Sequence, residues 1–189
     1  FLFKREFMDY HAEKFDDFSL LIFYNSELIA LFPCNFRDGE AYSHEGLSYG
    51  GVLVKGDIKF LKYIELFTHL LKYFDKNSIK KLYIKQIPSI YNSYFNGELD
   101  YLSYVAGAKI YRRDIISVID MQNENKISKD RIQGYKRGVK NKLEIKETDD
   151  LDDFWNSILI PTLSNRHDVN PVHSLEDIKN FKRNFNNNI

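Results

Sequence analysis

Residues 19–36 have the sequence SLLIFYNSELIALFPCNF, two apolar runs joined by Asn25, Ser26 and Glu27. Asparagine and serine favour turns, and the two flanking runs are rich in residues that favour strands. The stretch therefore predicts a β-hairpin in which residues 19–24 pair with residues 28–35. Because a second turn is predicted at 37–39, the chain should open as an antiparallel meander.

Alternating strands and helices are predicted after this hairpin. Residues 57–77 place apolar side chains three and four apart, which predicts an amphipathic helix with Asp57 as its N-cap. The run KKLYIKQIP at 80–88 predicts a strand that Pro88 ends, because proline has no N–H to donate to a sheet.

A short helix that closes near Gly107 and a long strand over Lys109–Met121 are predicted next. Residues 1–122 therefore predict one α/β domain, an α+β arrangement with a mainly antiparallel mixed sheet and flanking helices.

The composition changes after this domain. Residues 123–148 are basic and polar, and we predict a linker with a helix capped by Ser128 and ending near Lys140, followed by a short strand, LEIKE, at 143–147. Residues 149–189 predict two helices, the second of them capped by Ser174, and carry too little apolar content for a core of their own. We expect them to be the incomplete start of a second domain, in a chain that is a piece of a longer protein.

Charge and cysteine content limit the classes of function. Lysine plus arginine and aspartate plus glutamate both number 27, so no global field attracts nucleic acid or anionic lipid, and any anion site must be local. Cys34 lies in an apolar run with no base nearby and is predicted to be a core thiol. No leader or membrane span is predicted, so we expect a cytoplasmic protein.

The loop YSHEGLSYGG at 42–51 is the first candidate site. Its three glycines allow a close backbone approach to a ligand, and Ser43, His44 and Ser48 can donate or accept hydrogen bonds. The same residues also suit a wide structural turn between two strands. Lys85 and Tyr91, at the end of a predicted strand, either project into a ligand crevice or only pack there.

Basic residues of the linker form the second candidate site, and a metal site is not predicted. The cluster either holds a phosphate or pyrophosphate or is a solvated helix face. Because the net charge of the whole chain is zero, we do not expect it to bind nucleic acid. Its members are Arg131, Lys136, Arg137, Lys140 and Lys142. His167, Asp168 and His173 do not match zinc-ligand spacing.

Five segments, taken in order, resemble the FemAB-like branch of the GNAT N-acetyltransferase superfamily, and the resemblance spans nearly the whole chain. They are FKREFMDYHAEKF at 3–15, SHEGLSYGG at 43–51, KQIPSIYN at 85–92, ISKDRIQGYKRGVKN with LEIKE at 127–147, and FWNSILIPTLSNRHDVNPVHSLEDI at 154–178. The resemblance implies two GNAT-like domains joined by a basic helical segment. It also implies transfer of an acetyl or aminoacyl group to an amine of a sugar, nucleotide-sugar or peptidoglycan precursor, in synthesis of the cell envelope or surface polysaccharide.

The resemblance also implies roles for individual residues. Acceptor-binding positions would be Ser43, His44, Tyr49, Gly50, Lys85 and Tyr91, and phosphate contacts would be Arg131, Lys136, Arg137 and Lys140. The donor would be acetyl-CoA or another acyl donor, including an aminoacyl-tRNA. The nearest match to the CoA pyrophosphate loop of GNAT proteins, residues 131–136, ends on lysine in place of a small residue.

Two further expectations remain open. No catalytic base is assigned, and a non-catalytic GNAT-like module that binds a glycan precursor or a protein partner is the alternative function. An incomplete second domain would leave an apolar patch, formed by Phe154, Trp155, Ile158 and Leu159, that could pair in a homodimer.

Overall fold

A computed structural model describes residues 2–10, 12–56, 58–94, 96–123, 125–148 and 150–185. The chain divides into two compact units, residues 1–112 (unit 1) and residues 113–189 (unit 2). It is a mixed α/β protein in which antiparallel sheets are flanked by helices. Unit 1 holds both sheets and the core, so it is described first.

The predicted hairpin is present in unit 1. Strand β2 (Leu20–Tyr24) pairs antiparallel with β3 (Glu27–Phe32), and the turn residues Asn25 and Ser26 have φ angles of 48° and 64°. A short strand, β6 (Leu53–Val54), pairs with the other edge of β3, which gives the order β2-β3-β6.

The predicted continuation of the hairpin strand to Asn35 is wrong. Strand β3 ends at Phe32 because Pro33 has no N–H for the ladder. The chain then passes into a second sheet as β4 (Asn35–Arg37). This sheet has the order β1-β4-β5-β7, with β1 at Asp16–Asp17, β5 at Glu40–Tyr42 and β7 at Lys81–Tyr83. Its last pair, β5 with β7, is parallel, and the others are antiparallel.

The predicted amphipathic helix forms as α2 (Phe60–Lys76) and covers the core. Its N-cap position is Lys59, which makes no side-chain cap, and Asp57 lies outside the described residues. The helix buries five side chains, Tyr63, Leu66, Phe67, Leu70 and Phe74. The rings of Phe74 and Phe32 meet edge to face at 5.7 Å. Full burial of each apolar side chain stabilises the fold by about 1.5–3 kcal/mol.

A short first helix, α1 (Arg5–Asp9), a single helical turn at Ser89–Tyr91 and helix α3 (Glu98–Val105) complete the described regular structure of unit 1. Helix α3 ends just before Gly107, as predicted. The long strand predicted over Lys109–Met121 is wrong, because this segment has no strand and Ile115 is 98% exposed. Its apolar alternation favours a strand, but a strand also requires a hydrogen-bonded neighbour.

Unit 2 is helical in the part of the chain that the structure describes. Helix α4 (Lys129–Lys140) begins after Ser128, whose Oγ accepts a hydrogen bond from the Arg131 N–H, so the predicted cap is confirmed. A π-helical segment, Phe154–Leu159, runs into α5 (Ile160–His167).

Helix α6 (Leu175–Asn184) has the serine cap that its sequence predicts. The Oγ of Ser174 accepts from the Asp177 N–H at 3.1 Å, and the Asp177 carboxylate accepts from the Ser174 N–H at 2.7 Å. The strand predicted at 143–147 is wrong, since this segment has no regular secondary structure and Ile145 is fully exposed. Among the described residues, no helix has the length and apolar composition needed to cross a bilayer.

Candidate functional site

The loop at 42–51 is an excursion from one strand that runs parallel to β7. Tyr42 pairs with Tyr83, and Gly50 forms a parallel bridge with Gln86. Both ends of the loop are thus held by the same neighbouring segment, through Tyr83 and Gln86, which are only three residues apart. Residues 44–49 are therefore extruded from the line of the strand.

Ser43 closes the gap in the ladder where the excursion begins. Its N–H donates to the Tyr83 carbonyl at 2.8 Å, and its Oγ accepts from the Lys85 N–H at 2.6 Å. In regular parallel pairing a main-chain carbonyl would accept from this N–H, so the hydroxyl replaces it. Ser43 is only 2% exposed, so its hydroxyl belongs to the frame of the loop.

Gly50 returns the loop to the sheet at close range. Its N–H donates to the Lys85 carbonyl at 2.7 Å. A Cβ at position 50 would lie 2.5 Å from the Ser43 carbonyl oxygen, a distance that side chains do not adopt. The two ends of the excursion therefore meet only because position 50 is glycine.

A second set of hydrogen bonds ties the loop to β4. The buried Asn35 amide donates to a Glu45 carboxylate oxygen at 2.9 Å, and Asn35 Oδ1 accepts from the Glu45 N–H at 2.7 Å. The guanidinium of Arg37 pairs with the same carboxylate at 3.2 Å. Asn35 and Glu45 were not predicted as site residues, because their pairing depends on a contact between β4 and the loop.

His44 is buried at the base of the loop. It is 2% exposed, has a φ of 61°, and its ring packs edge to face against Phe15 at 5.9 Å. Burial lowers the pKa of its imidazole, the charge of Lys85 lowers it further, and Asp17 opposes the shift. The folded loop therefore favours the neutral imidazole.

Lys85, two residues beyond the end of β7, anchors the middle of the loop. Its Nζ donates to the Leu47 carbonyl at 2.6 Å, and the Leu47 N–H donates to the His44 carbonyl at 3.1 Å. Burial is the main cause of the lowered pKa of the Lys85 ammonium, and the charge of Arg112 adds to it, while Glu45 opposes the shift.

Two stacked tyrosine pairs flank the loop. Tyr42 and Tyr83 stack with ring centroids 4.7 Å apart, and Tyr49 and Tyr91 stack at 5.3 Å. Burial raises the pKa of the Tyr49 phenol, and Tyr91 contributes to that shift. Tyr49 thus connects the extruded loop to the segment that follows β7.

A cleft of about 300 Å³ opens where the two parallel segments separate after the Gly50–Gln86 bridge. The segment after Gly50 turns away to pair through Leu53 and Val54 with β3, and the other segment continues from Gln86 into the turn at Tyr91. Ligand crevices commonly form beyond the carboxyl ends of parallel strands at such a separation. We call this hollow the strand-end cleft.

The strand-end cleft is lined by polar, aromatic and acidic residues. Tyr63 of α2 and Glu98 of α3 lie at its wall, and burial, with a smaller contribution from Glu98, raises the pKa of the Tyr63 phenol. Aliphatic side chains and one lysine complete the lining. The other lining residues are Gly50, Val52, Leu53, Val54, Lys55, Gly56, Ile58, Gln86, Ile87, Tyr91, Asn92, Ser93, Tyr94, Asn96, Gly97, Leu99 and Asp100. Only Gly50 and Tyr91 among these were predicted as site residues, because the separation of the two strands cannot be deduced from local patterns.

A second hollow, of about 460 Å³, lies beside β3 and α2 and is lined by its own paired charges. Lys55 pairs with Glu27 at 2.5 Å, and the Lys62 ammonium lies 3.9 Å from the centre of the Tyr24 ring. Because these charged side chains already interact with other residues of the hollow, a ligand bound there would gain little, as an exposed charge pair contributes at most about 1 kcal/mol.

The predicted phosphate-binding residues all lie on α4 in unit 2. Arg131, Lys136, Arg137 and Lys140 are exposed, and in the described part of the chain no carboxylate forms an ion pair with them. The segment that most resembles a CoA pyrophosphate loop, 131–136, lies inside helix α4. Its backbone N–H groups donate hydrogen bonds within the helix and to its Ser128 cap. Since a pyrophosphate loop needs free amides at a helix start, this segment does not fit CoA.

The structure thus brings Ser43, His44, Tyr49, Gly50, Lys85 and Tyr91 together in unit 1. The predicted apolar patch lies in the π-helical segment of unit 2, where Phe154 and Ile158 are exposed and Trp155 and Leu159 are half-buried. The homodimer stays a prediction.

Comparison of the chain with protein-family models, curated proteins and solved structures found no match.

Proposed function

We propose that the chain is part of an N-acyltransferase of the FemAB-like, GNAT type, and that the strand-end cleft of unit 1 binds the amine-bearing acceptor. The observation that carries this proposal is the separation of two parallel segments after Gly50 and Gln86, with polar and aromatic side chains along the gap. The proposed family rests on the ordered motifs of the sequence, and the proposed location of the acceptor site rests on the cleft.

The lining of the cleft suits an amino sugar or its nucleotide derivative. Tyr91 and Tyr94 are 57% and 67% exposed and offer ring faces to a pyranose. The Asn92 amide donates to the Asn96 Oδ1 at 3.2 Å, and the other polar atoms of these two amides can bind hydroxyl groups. The carboxylate of Glu98 can pair with an acceptor ammonium. Such a set of a few polar groups among apolar and aromatic ones is typical of small-molecule sites.

Within this proposal the predicted acceptor residues divide into two roles. Gly50 and Tyr91 line the cleft, and Tyr49 supports Tyr91 by stacking. Ser43, His44 and Lys85 position the loop, because their polar atoms or rings are engaged within it or buried. They would influence acceptor binding through the placement of Gly50.

The proposed reaction is attack of the acceptor amine on the carbonyl carbon of an acyl donor. It forms an amide bond and releases the donor's thiol or alcohol, and the amine loses a proton. Such a step requires a proton acceptor and a hydrogen-bond donor for the oxyanion. Because residues 131–136 do not fit CoA, no residue is assigned to the donor. The expected phosphate contacts of α4 stay a prediction.

A thermal-shift experiment tests the proposal, since a ligand that binds only the native state raises the melting temperature. The ligands are a UDP-linked amino sugar and acetyl-CoA, each added to wild-type chain. We expect the sugar nucleotide to raise the melting temperature and Tyr91→Ala to abolish the rise.

The matched control is Tyr104→Ala, which removes another exposed tyrosine, from a part of α3 that does not line the cleft. This variant should respond as wild type does. Equal responses of Tyr91→Ala and wild type would contradict binding in the cleft. A response to acetyl-CoA alone would contradict an acceptor site in the cleft.

A further inference from the structure

We infer that helix α4 binds the surface of an anionic lipid bilayer and attaches the protein peripherally to a membrane. The inference concerns unit 2 alone and does not depend on the proposed acyl transfer. It rests on the distribution of charge and on the apolar side chains of the helix, which stay exposed in the part of the chain that the structure describes.

An excess of positive charge surrounds α4. Residues 126–142 contain seven basic residues and one acidic residue, although the whole chain has 27 of each sign. The basic residues are Lys126, Lys129, Arg131, Lys136, Arg137, Lys140 and Lys142, and the acidic one is Asp130. A local excess of this size attracts an anionic surface even when the net charge of the protein is zero.

The apolar side chains of α4 form one exposed stripe. Ile132, Tyr135 and Val139 occupy positions i, i+3 and i+7, and they are 42%, 74% and 59% exposed. Residues at this spacing share one face of a helix. A stripe of this kind flanked by cations is the pattern of helices that lie in the bilayer interface.

Lysines follow the same stripe along one edge. Lys129, Lys136 and Lys140 are spaced i, i+7 and i+11, which places them beside Ile132 and Val139, while Arg131 lies on the opposite edge. Long basic side chains in such positions can reach phosphate groups while their methylenes cover apolar surface. Asp130 falls on the far side of the helix, away from the stripe.

Among the described residues, no side chain buries the apolar stripe of the helix. None of its residues is buried in the described structure, and it is only 12 residues long with two internal glycines, Gly134 and Gly138. Isolated helices of this length are marginal in water. A bilayer would supply the apolar surface and the counter-charge that this helix needs.

Vesicle co-sedimentation of the whole 189-residue chain tests the inference. The vesicles are phosphatidylcholine alone and phosphatidylcholine mixed with phosphatidylglycerol. We expect binding to the mixed vesicles only, with loss of binding at high salt. K136E/K140E should bind the mixed vesicles at least about tenfold more weakly.

The matched control for charge is K72E/K76E on α2, which makes the same change in net charge at the same i, i+4 spacing on exposed residues. It should bind close to wild type. Equal loss in both variants would overturn the assignment to α4. Far-ultraviolet circular dichroism confirms that each variant is folded.

The apolar stripe distinguishes a bilayer from a nucleic acid. I132S/V139S keeps every charge and should still weaken vesicle binding several-fold. With the only tryptophan removed as Trp155→Phe, Tyr135→Trp should show a blue shift of emission on mixed vesicles. Absence of that shift, or binding to transfer RNA that I132S/V139S leaves intact while vesicles are not bound, would overturn the proposal.

Discussion

The Oγ of Ser43 accepts a 2.6 Å hydrogen bond from the Lys85 N–H, although the two residues are 42 positions apart. This bond lies where the excursion at 42–51 leaves the line of its strand. The hydrogen bond replaces a main-chain bond of the ladder and holds the loop against the segment that follows β7. The position of Gly50, and with it one wall of the strand-end cleft, depends on this frame.

Removal of the Ser43 hydroxyl should destabilise unit 1. Ser43→Ala leaves the Lys85 N–H without its acceptor beside a residue that is 2% exposed, which costs about 1–3 kcal/mol. Urea denaturation followed by circular dichroism measures the change. Ser89→Ala, at an exposed serine, is the control and should stay within about 0.5 kcal/mol of wild type.

A side chain at position 50 should be tolerated poorly. The Cβ of Gly50→Ala would lie 2.5 Å from the Ser43 carbonyl oxygen, so the loop must shift, at a cost of about 1–3 kcal/mol. Gly134→Ala has nothing within 4 Å of the new Cβ and should increase helical content, because alanine favours a helix by about 1 kcal/mol over glycine. Circular dichroism with denaturation compares the two, and an unchanged stability of Gly50→Ala would refute the close approach.

Mild acid should destabilise unit 1 through His44. Burial places the folded-state pKa of His44 below its ordinary value of 6.5. The unfolded chain therefore binds the proton more readily than the folded chain. The contribution of neutral His44 to the free energy of unfolding is fully present above pH 6.5 and is lost as the pH falls below 6.5.

His44→Asn tests this pH dependence, since asparagine tolerates the left-handed backbone at a φ of 61°. The urea midpoint of the wild type should fall between about pH 7.5 and about pH 5.5, and the variant should lose a smaller part. Identical decreases in the two proteins would show that His44 is not the group responsible.

The Cys34 thiol should react slowly while the protein is folded. It is fully buried, and burial raises its pKa to about 12, so the thiolate is scarce at neutral pH. Labelling with a maleimide should therefore require unfolding and proceed rapidly in urea. Rapid labelling of the native chain would contradict the core position that both sequence and structure assign to Cys34.

Local patterns were sufficient to predict the hairpin, helix α2 and the serine caps. Asn25 and Ser26 mark a turn, and Ser128 and Ser174 cap helices, by interactions within a few residues. The strands at 109–121 and 143–147 were predicted wrongly because apolar alternation does not specify a neighbouring strand.

The candidate site could be predicted only in part. The glycines and tyrosines of the 42–51 loop marked the region, but its geometry depends on pairing with β7, far along the chain. Glu98 and Asn92 were missed because they come next to Gly50 only through that tertiary arrangement. The burial of Ser43 and His44 likewise has no local signature.

The most direct test of the central claim is a titration of ¹⁵N-labelled chain with a UDP-linked amino sugar, followed by heteronuclear NMR. If the acceptor binds in the cleft, we expect saturable shifts at amides of both cleft walls, such as Leu53, Gln86 and Glu98, with residues at the far end of α2 unchanged. Shifts confined to residues outside the cleft, or no shifts at millimolar ligand, would contradict an acceptor site at the ends of these strands.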